Sequence, residues 1–412
     1  MNEQLRQQAD QIVQSAISAV LPDAAVIRAL ERMETEGQVI LVAAGKAAWQ
    51  MAKTARDYLG DRICDGIVIT KYGHVQGNID GIRCMEAGHP VPDENSFRAT
   101  EQALKLVSGL TAGDTVLFLL SGGGSALFEK PLIPGQELQD VTSQLLACGA
   151  GIVEINTIRK RLSGVKGGRF AQHCAPANIF SVVLSDIIGD PLDMIASGPA
   201  CPDSSTCAET IAIAEKYHLQ LSGDVWNLLN QETPKSLSNV TTFITGSVRE
   251  LCLAAAGAAE ELGYEPHILT DRLDCQAADA GRYLASFARE HLEEGKKMAF
   301  IAGGETVVKL TGTGKGGRNQ ELALAAAAEI DGMDGICLFS VGSDGTDGPT
   351  DAAGGYVDGS TAAELRSFGI EISQVLNDND AYHALEKTGG LIITGPTGTN
   401  VNDVAVLLMD RG

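Results

Sequence analysis

Short runs of uniformly apolar residues, each running into a glycine-rich loop and mostly followed by a helix-like stretch, recur along the chain and restrict its fold most. Such runs occupy 39–44, 66–70, 115–120, 179–184, 242–245, 298–302, 306–310, 336–341 and 391–394. Helical spacing fills 47–59, 94–108, 137–147, 248–262, 277–292 and 319–330. Strand, loop and helix in alternation describe an α/β protein. Runs apolar at every position, rather than at every second one, suit strands covered on both faces, as in parallel sheets. The expected architecture is two α/β/α layered domains with mostly parallel sheets and a cleft between them. The first 35 residues read as helices, with Ile12, Val13, Ala16, Ile17 and Val20 on one face and Pro22-Asp23 opening a second helix. A more polar stretch, 206–241, contains Pro234 and places the domain boundary, giving 1–235 as a Rossmann-like N-terminal domain with leading helices and 236–412 as the C-terminal domain.

Composition narrows the function. With 31 basic and 53 acidic side chains the formal charge is −22, which disfavours nucleic acid and anionic membrane as partners. Nine scattered cysteines without a C-x-x-C pair read as reduced thiols rather than a disulfide framework or zinc site, and point to a cytoplasmic protein. The charged, amphipathic N-terminus lacks the apolar core of a secretory signal, and no apolar stretch reaches the roughly 20 residues that span a bilayer. Small molecules are the expected partners. The oligomeric state stays open, with a homodimer as one expectation.

Ligands of open α/β sheets bind beyond the carboxyl ends of the strands, which selects five segments. Gly45-Lys46 leads into a helix, where N–H groups and the helix dipole favour an anion; a lysine there is poorly placed unless a phosphate faces it. Ser121-Gly122-Gly123-Gly124-Ser125 exposes backbone between two hydroxyls and suits a phosphate or carboxylate better than it suits a plain turn, given the entropy of ordering three glycines. Residues 156–169 are the densest basic stretch and include Arg159 and Lys166; an anion site and an ordinary solvated face weigh equally here. Asp186 ends a strand, where a carboxylate can hold Mg²⁺ or accept a hydroxyl proton, whereas Asp190-Pro191 reads as a turn. The C-terminal loops supply Gly304-Glu305, the 311–321 segment with Lys315, Arg318 and Asn319, then Asp344, and Asn400. Mixed glycine, hydroxyl and acidic residues suit metal-bound phosphate, with Asp186 and Asp344 as candidate metal ligands. His74 and His89 lie in loops and carry no assigned role.

Three classes of function compete. Gly312-x-Gly314-x-x-Gly317 matches a dinucleotide fingerprint between a strand and a helix, which supports an NAD(P)-dependent reductase. Against it, the next strand-end acid, Asp344, is 27 residues past Gly317 and the loop is basic. A phosphotransferase needs cations, acids and positioned donors, and Lys46, Arg318, Asp186 and Asp344 supply those types. No G-x-x-x-x-G-K-[ST] phosphate loop is present. A non-catalytic small-anion-binding protein would not need the acids at strand ends.

At these residues the chain resembles the MOFRL-type (class II) glycerate kinase family. The matching stretches are GKAAWQMA, LSGGGSAL, EINTIRKRLSGVKGGR, SDIIGDPLDMIASGP, GGETVVKLTGTGKGGRNQELAL, SVGSDGTDGPTDAAGG and TGPTGTNVNDV. The resemblance runs from about residue 5 to 410. It implies an ATP-dependent, Mg²⁺-assisted glycerate 2-kinase that turns D-glycerate into 2-phosphoglycerate, with a MOFRL-like C-terminal domain and with Lys46 and Arg318 as the principal catalytic cations.

Overall fold

The computed structural model describes residues 1–411. The chain opens with α1 (Glu3–Ala19) and α2 (Pro22–Leu30). Next come β1 (Val39–Ala44), α3 (Ala48–Leu59), β2 (Ile63–Lys71), β3 (Ile82–Ala87), α4 (Glu94–Leu106), β4 (Thr115–Leu120), α5 (Gly124–Leu127), α6 (Gly135–Ala147), α7 (Ile152–Leu162), α8 (Arg169–Cys174) and β5 (Asn178–Leu184). They are followed by α9 (Cys207–Lys216), α10 (Gly223–Leu229), β6 (Val240–Gly246), α11 (Val248–Glu261), β7 (Glu265–Leu273), α12 (Ala277–Glu290), β8 (Lys297–Gly304) and α13 (Arg318–Glu329). The chain ends with β9 (Ile336–Gly342), β10 (Gly354–Asp358), α14 (Thr361–Ser367), α15 (Ile372–Asn377), α16 (Ala381–Lys387), β11 (Leu391–Ile392) and β12 (Asp403–Asp410).

Two compact units result: residues 25–245, and residues 1–24 together with 246–412. The division expected from sequence, 1–235 and 236–412, differs from this at both ends. The polar 206–241 stretch lies inside the first unit, where α9 and α10 pack with α6 and α7 around Leu145, Ile158 and Leu229. The leading helix belongs to the second unit. Asn2 caps α1 by accepting from the N–H groups of Gln4 and Leu5, and the stripe Leu5, Ala9, Ile12, Val13, Ala16 and Ile17 is buried in a core shared with α11. Each large member of that stripe contributes roughly 1.5–3 kcal/mol on burial.

In the first unit the strand order is β3-β2-β1-β4-β5-β6, and β1 pairs in parallel with both β2 and β4. The order reverses between β1 and β4, the place where doubly wound folds open a crevice beyond the strand ends. All six residues of β1 and of β4 are buried, as their unbroken apolar runs require. One face carries α2 and α3, and the other carries α4, α5 and α8.

The second sheet has the order β11-β10-β9-β12-β8-β7. Strands β7, β8, β9 and β11 run one way, while β10 and β12 run the other, so only β7 and β8 pair in parallel. Helices α1 and α11 cover one face, and α12 and α13 with the shorter α14–α16 cover the other. The α/β layering is as expected, and the reversed β10 and β12 are the additions in this sheet. No single helix among the described residues is long and apolar enough to cross a membrane.

Candidate active site

The first unit gathers its candidate residues where β1, β4 and β5 end. The turn after β1 bonds directly to the turn after β4: Lys46 N–H donates to the Gly122 carbonyl at 2.8 Å and Ala47 N–H to Ser121 Oγ at 3.1 Å. Gly45 has φ +128°, and a side chain there would overlap the Ser121 hydroxyl. The Lys46 side chain is exposed, and its carbonyl receives the His74 ring Nδ1 at 3.1 Å.

A cavity of about 270 Å³ lies beside this turn, lined by residues 121–125, Asn156, Arg159 and Asp186 among others. The three glycines are explained less by bare backbone than by what they admit. A side chain at Gly122 would overlap the Asp186 carboxylate, and Gly123, at φ +87°, faces the His89 ring and Lys46. Arg159 donates from Nη2 to the Ser125 carbonyl at 3.0 Å, while its Nε is buried with no partner among the described residues. Ser125 Oγ and Ser197 Oγ are 3.1 Å apart, and Ser197 Oγ donates to Asn156 Oδ1 at 3.1 Å. Ala196 and Ser197 sit at φ +50° and +62°, a strained pair of the kind concentrated at ligand sites. Burial, and the nearby Lys46 ammonium, push the His89 imidazole below its ordinary value, so it faces the turn neutral near pH 7.

The basic stretch 156–169 resolves into structural pairs. Lys166, expected from sequence to meet ligand, is fully buried; its ammonium donates to Glu129 at 2.5 Å and to the Ser125 carbonyl at 2.9 Å. Burial pushes it down to about 8, against the pull of Glu129. Lys166 therefore braces the 121–125 turn from behind. Lys160 and Arg161 are buried against Asp203, and Arg169 Nη1 donates to the last carbonyls of α7. Only Arg159 and Asn156 of this stretch reach the cavity.

The second unit builds a larger cavity, about 630 Å³, from the 305–318 segment, Asp344 and residues 346–349. Arg318, the first residue of α13, grips Asp403 through Nε at 2.5 Å and Nη2 at 3.1 Å, and Glu305 through Nη1 at 3.0 Å. Burial alone would weaken its charge, but the Asp403 pair holds the guanidinium above its ordinary value. Asp403 is 8% exposed and Glu305 48%, so one partner is an anchor and the other is open to exchange. Behind them Asp347 accepts the Asn319 and Gln320 N–H groups at 3.2 and 2.9 Å, capping α13 from outside the helix. Burial pushes the Asp347 carboxyl up to about 6 despite those bonds.

Several candidates here take other positions than expected. Asn319 is buried, accepting from Ser340 Oγ at 2.6 Å, and so supports the loop from below. Gly304 is required by packing, since a side chain would strike the Leu273 backbone. Lys315 lies 3.8 Å over the Tyr382 ring. Asp344 lines the cavity and accepts from Thr346 N–H at 2.9 Å, while Asn400 is exposed and accepts from Asn402 N–H at 3.4 Å. Among the described residues no group of three or more His, Cys, Asp or Glu side chains is arranged to hold a metal.

Residues 306–310 form no strand; Val307 makes only an isolated bridge to Gln276. Gly312 is packed against Asp378, and its N–H donates to Asn379 Oδ1 at 2.9 Å. The Gly312–Gly317 pattern thus lacks the preceding strand that a dinucleotide fingerprint requires, which removes the main support for the reductase reading. Reading the sequence missed Asp347 and Asp403 because neither ends an apolar run; each reaches Arg318 or its helix across the sheet.

Known families match the chain in two stretches. Residues 8–230 match the family described as "Domain of unknown function (DUF4147)", and residues 298–403 match the MOFRL family. A D-glycerate 2-kinase of Thermotoga maritima is 53% identical over 413 residues, covering 99% of each chain. A glycerate 2-kinase of Pyrococcus horikoshii is 39% identical and covers 97% of this chain and 96% of its own length. The crystal structure of a glycerate kinase from Thermotoga maritima matches with a TM-score of 0.94 at 52% identity, over 99% of this chain and 100% of that one.

Proposed function

The chain belongs to the MOFRL-type glycerate kinase family, and from that premise we propose that it phosphorylates D-glycerate at its 2-hydroxyl with ATP, giving 2-phosphoglycerate. The observation that carries the reading is the cavity beside Lys46, where an arginine, bare backbone and hydroxyls face a space sized for a small acid. Arg159, with its unpartnered Nε, and the 121–125 turn hold the glycerate carboxylate; a guanidinium is suited to that grip.

The glycerate hydroxyl attacks the terminal phosphorus of ATP, its proton passes to a carboxylate, and ADP leaves. Asp186, packed over Gly122 on the cavity wall, is the acceptor we assign. Lys46 and Arg318 are the cations we assign, each within its own unit, to offset phosphate charge; little covalent work is left to the protein in such reactions. Arg318 can do so by releasing Glu305 while Asp403 keeps it aimed.

Asp186 and Asp344 fit a magnesium ion that arrives with the nucleotide, because Mg²⁺ commonly uses one or two carboxylates plus phosphates and water. Asp186 or Asp344 would hold it. When bound, the ion would neutralise phosphate charge.

The test is product identification by NMR from D-glycerate and Mg-ATP, with hydroxypyruvate and NADH run alongside. Steady-state kinetics of Lys46→Ala, Arg318→Ala and Arg159→Ala complete it. We expect kcat losses on the order of 10²–10³ for the first two and a raised KM for glycerate in the third. Wild-type kcat in both cation variants, with folding intact, refutes the assignment.

A further inference from the structure

The segment after β8 holds a polar group that the fold itself does not use. Thr306 is 4% exposed, yet its hydroxyl oxygen has no hydrogen-bond partner among the described residues. It lines the 630 Å³ cavity together with its neighbour Glu305 and with Arg318, the two being joined at 3.0 Å. The backbone on either side is fixed: Glu305 N–H donates to the Leu273 carbonyl at 2.9 Å and Val307 N–H to the Cys275 carbonyl at 2.9 Å. The hydroxyl therefore cannot find a partner by a shift of the chain. A buried hydroxyl left unmade costs stability, and a valine of the same shape would remove that cost. Retaining threonine at such a place, against a cavity wall beside a guanidinium, fits a group whose partner arrives with a ligand.

We propose that Thr306 Oγ donates a hydrogen bond to a phosphate oxygen of the nucleotide, in the cavity beside Arg318. The ligand class follows from what the wall offers. Thr306 supplies a neutral donor and Arg318 a charged one, and Glu305 is the anion that already occupies the guanidinium's outer face. An entering phosphate takes the place of the Glu305 carboxylate on Nη1 and meets the hydroxyl on the wall of the same cavity. The inference rests on the kinase reading and adds to it a residue for the nucleotide.

The experiment compares Thr306→Val and Thr306→Ser with the wild type. Thermal unfolding is measured without ligand, Mg-ATP binding by calorimetry, and KM for ATP and for glycerate separately. The valine variant should unfold at the wild-type temperature or above it. Its Mg-ATP affinity should fall roughly ten-fold or more, as expected for a bond to a charged acceptor, with the KM for glycerate unchanged. Serine should restore most of the affinity. A valine variant with wild-type ATP affinity overturns the proposal. So does one that unfolds well below the wild type, because the hydroxyl would then serve the fold. If the wild type binds Mg-ATP but does not phosphorylate glycerate, the kinase reading fails, while the calorimetric comparison still decides the role of Thr306.

Discussion

Replacing Asp203 by Asn puts the largest electrostatic strain on the framework behind Arg159. Asp203 is 1% exposed and accepts from Lys160 Nζ at 3.2 Å, Arg161 Nη1 at 2.7 Å, Thr233 Oγ at 2.7 Å and the Ser205 N–H at 3.1 Å. An asparagine keeps the shape but removes the charge and points an amide N–H at cations. Removing one partner of a buried pair costs about 3–5 kcal/mol. Lys160 retains Asp193 at 3.2 Å and Arg161 retains Glu232 at 3.2 Å, so the lower end, about 3 kcal/mol, applies. For a unit of this size that lowers Tm by roughly 6–12 °C. Despite burial, its partners hold the Asp203 carboxyl well below the usual range. A depressed acid contributes stability that is fully present above its unfolded value, near 4, and lost as pH falls through its folded value. The gap between wild type and variant should thus stay constant from about pH 5 to 8 and narrow below about pH 4. Because α7 carries Lys160 and Arg161 as well as Asn156 and Arg159, the KM for glycerate should rise in the folded variant. Thermal unfolding followed by circular dichroism across that pH range decides the matter. A Tm within 2 °C of wild type, by our reckoning from the figures above, would show that Asp203 is not the keystone we describe.

Three further outcomes are expected. Asp403→Asn should reduce kcat by about ten- to a hundred-fold with little change in the KM for glycerate, whereas Glu305→Gln should raise kcat/KM for ATP by about two- to five-fold, the worth of an exposed ion pair; steady-state kinetics check both. A carboxyl whose folded value is raised contributes stability below its unfolded value and loses it as pH rises through the folded one. For Asp347, pushed up to about 6 by burial, the stability of the wild type relative to Asp347→Asn should therefore decline between pH 4 and 7, by on the order of 2–3 kcal/mol in denaturant titrations.

Glycine spacing after apolar runs located both cavities, because a strand end beside a bare turn is a local property. The 121–125 turn, Asp186 and Arg318, which line those cavities, were legible in that way. Lys166 was not. Its flanking glycines resemble an anion loop, and only the fold reveals Glu129 waiting 2.5 Å from its ammonium. The expected strand at 306–310 failed for a related reason: its apolar residues line a cavity wall instead of a sheet.

The amino-acid order by itself determined the layered α/β plan and which turns border the cavities, since both follow from the periodicity and backbone freedom of neighbouring residues. The tertiary structure alone decided that the first helix serves the C-terminal sheet and that β12 runs backwards through its centre. It alone set Asp403 against Arg318 and left the Thr306 hydroxyl without a partner among the described residues. Those are contacts between residues far apart in the chain, and the pairing of distant charges and hydroxyls depends on where strands meet in space, which no local pattern encodes.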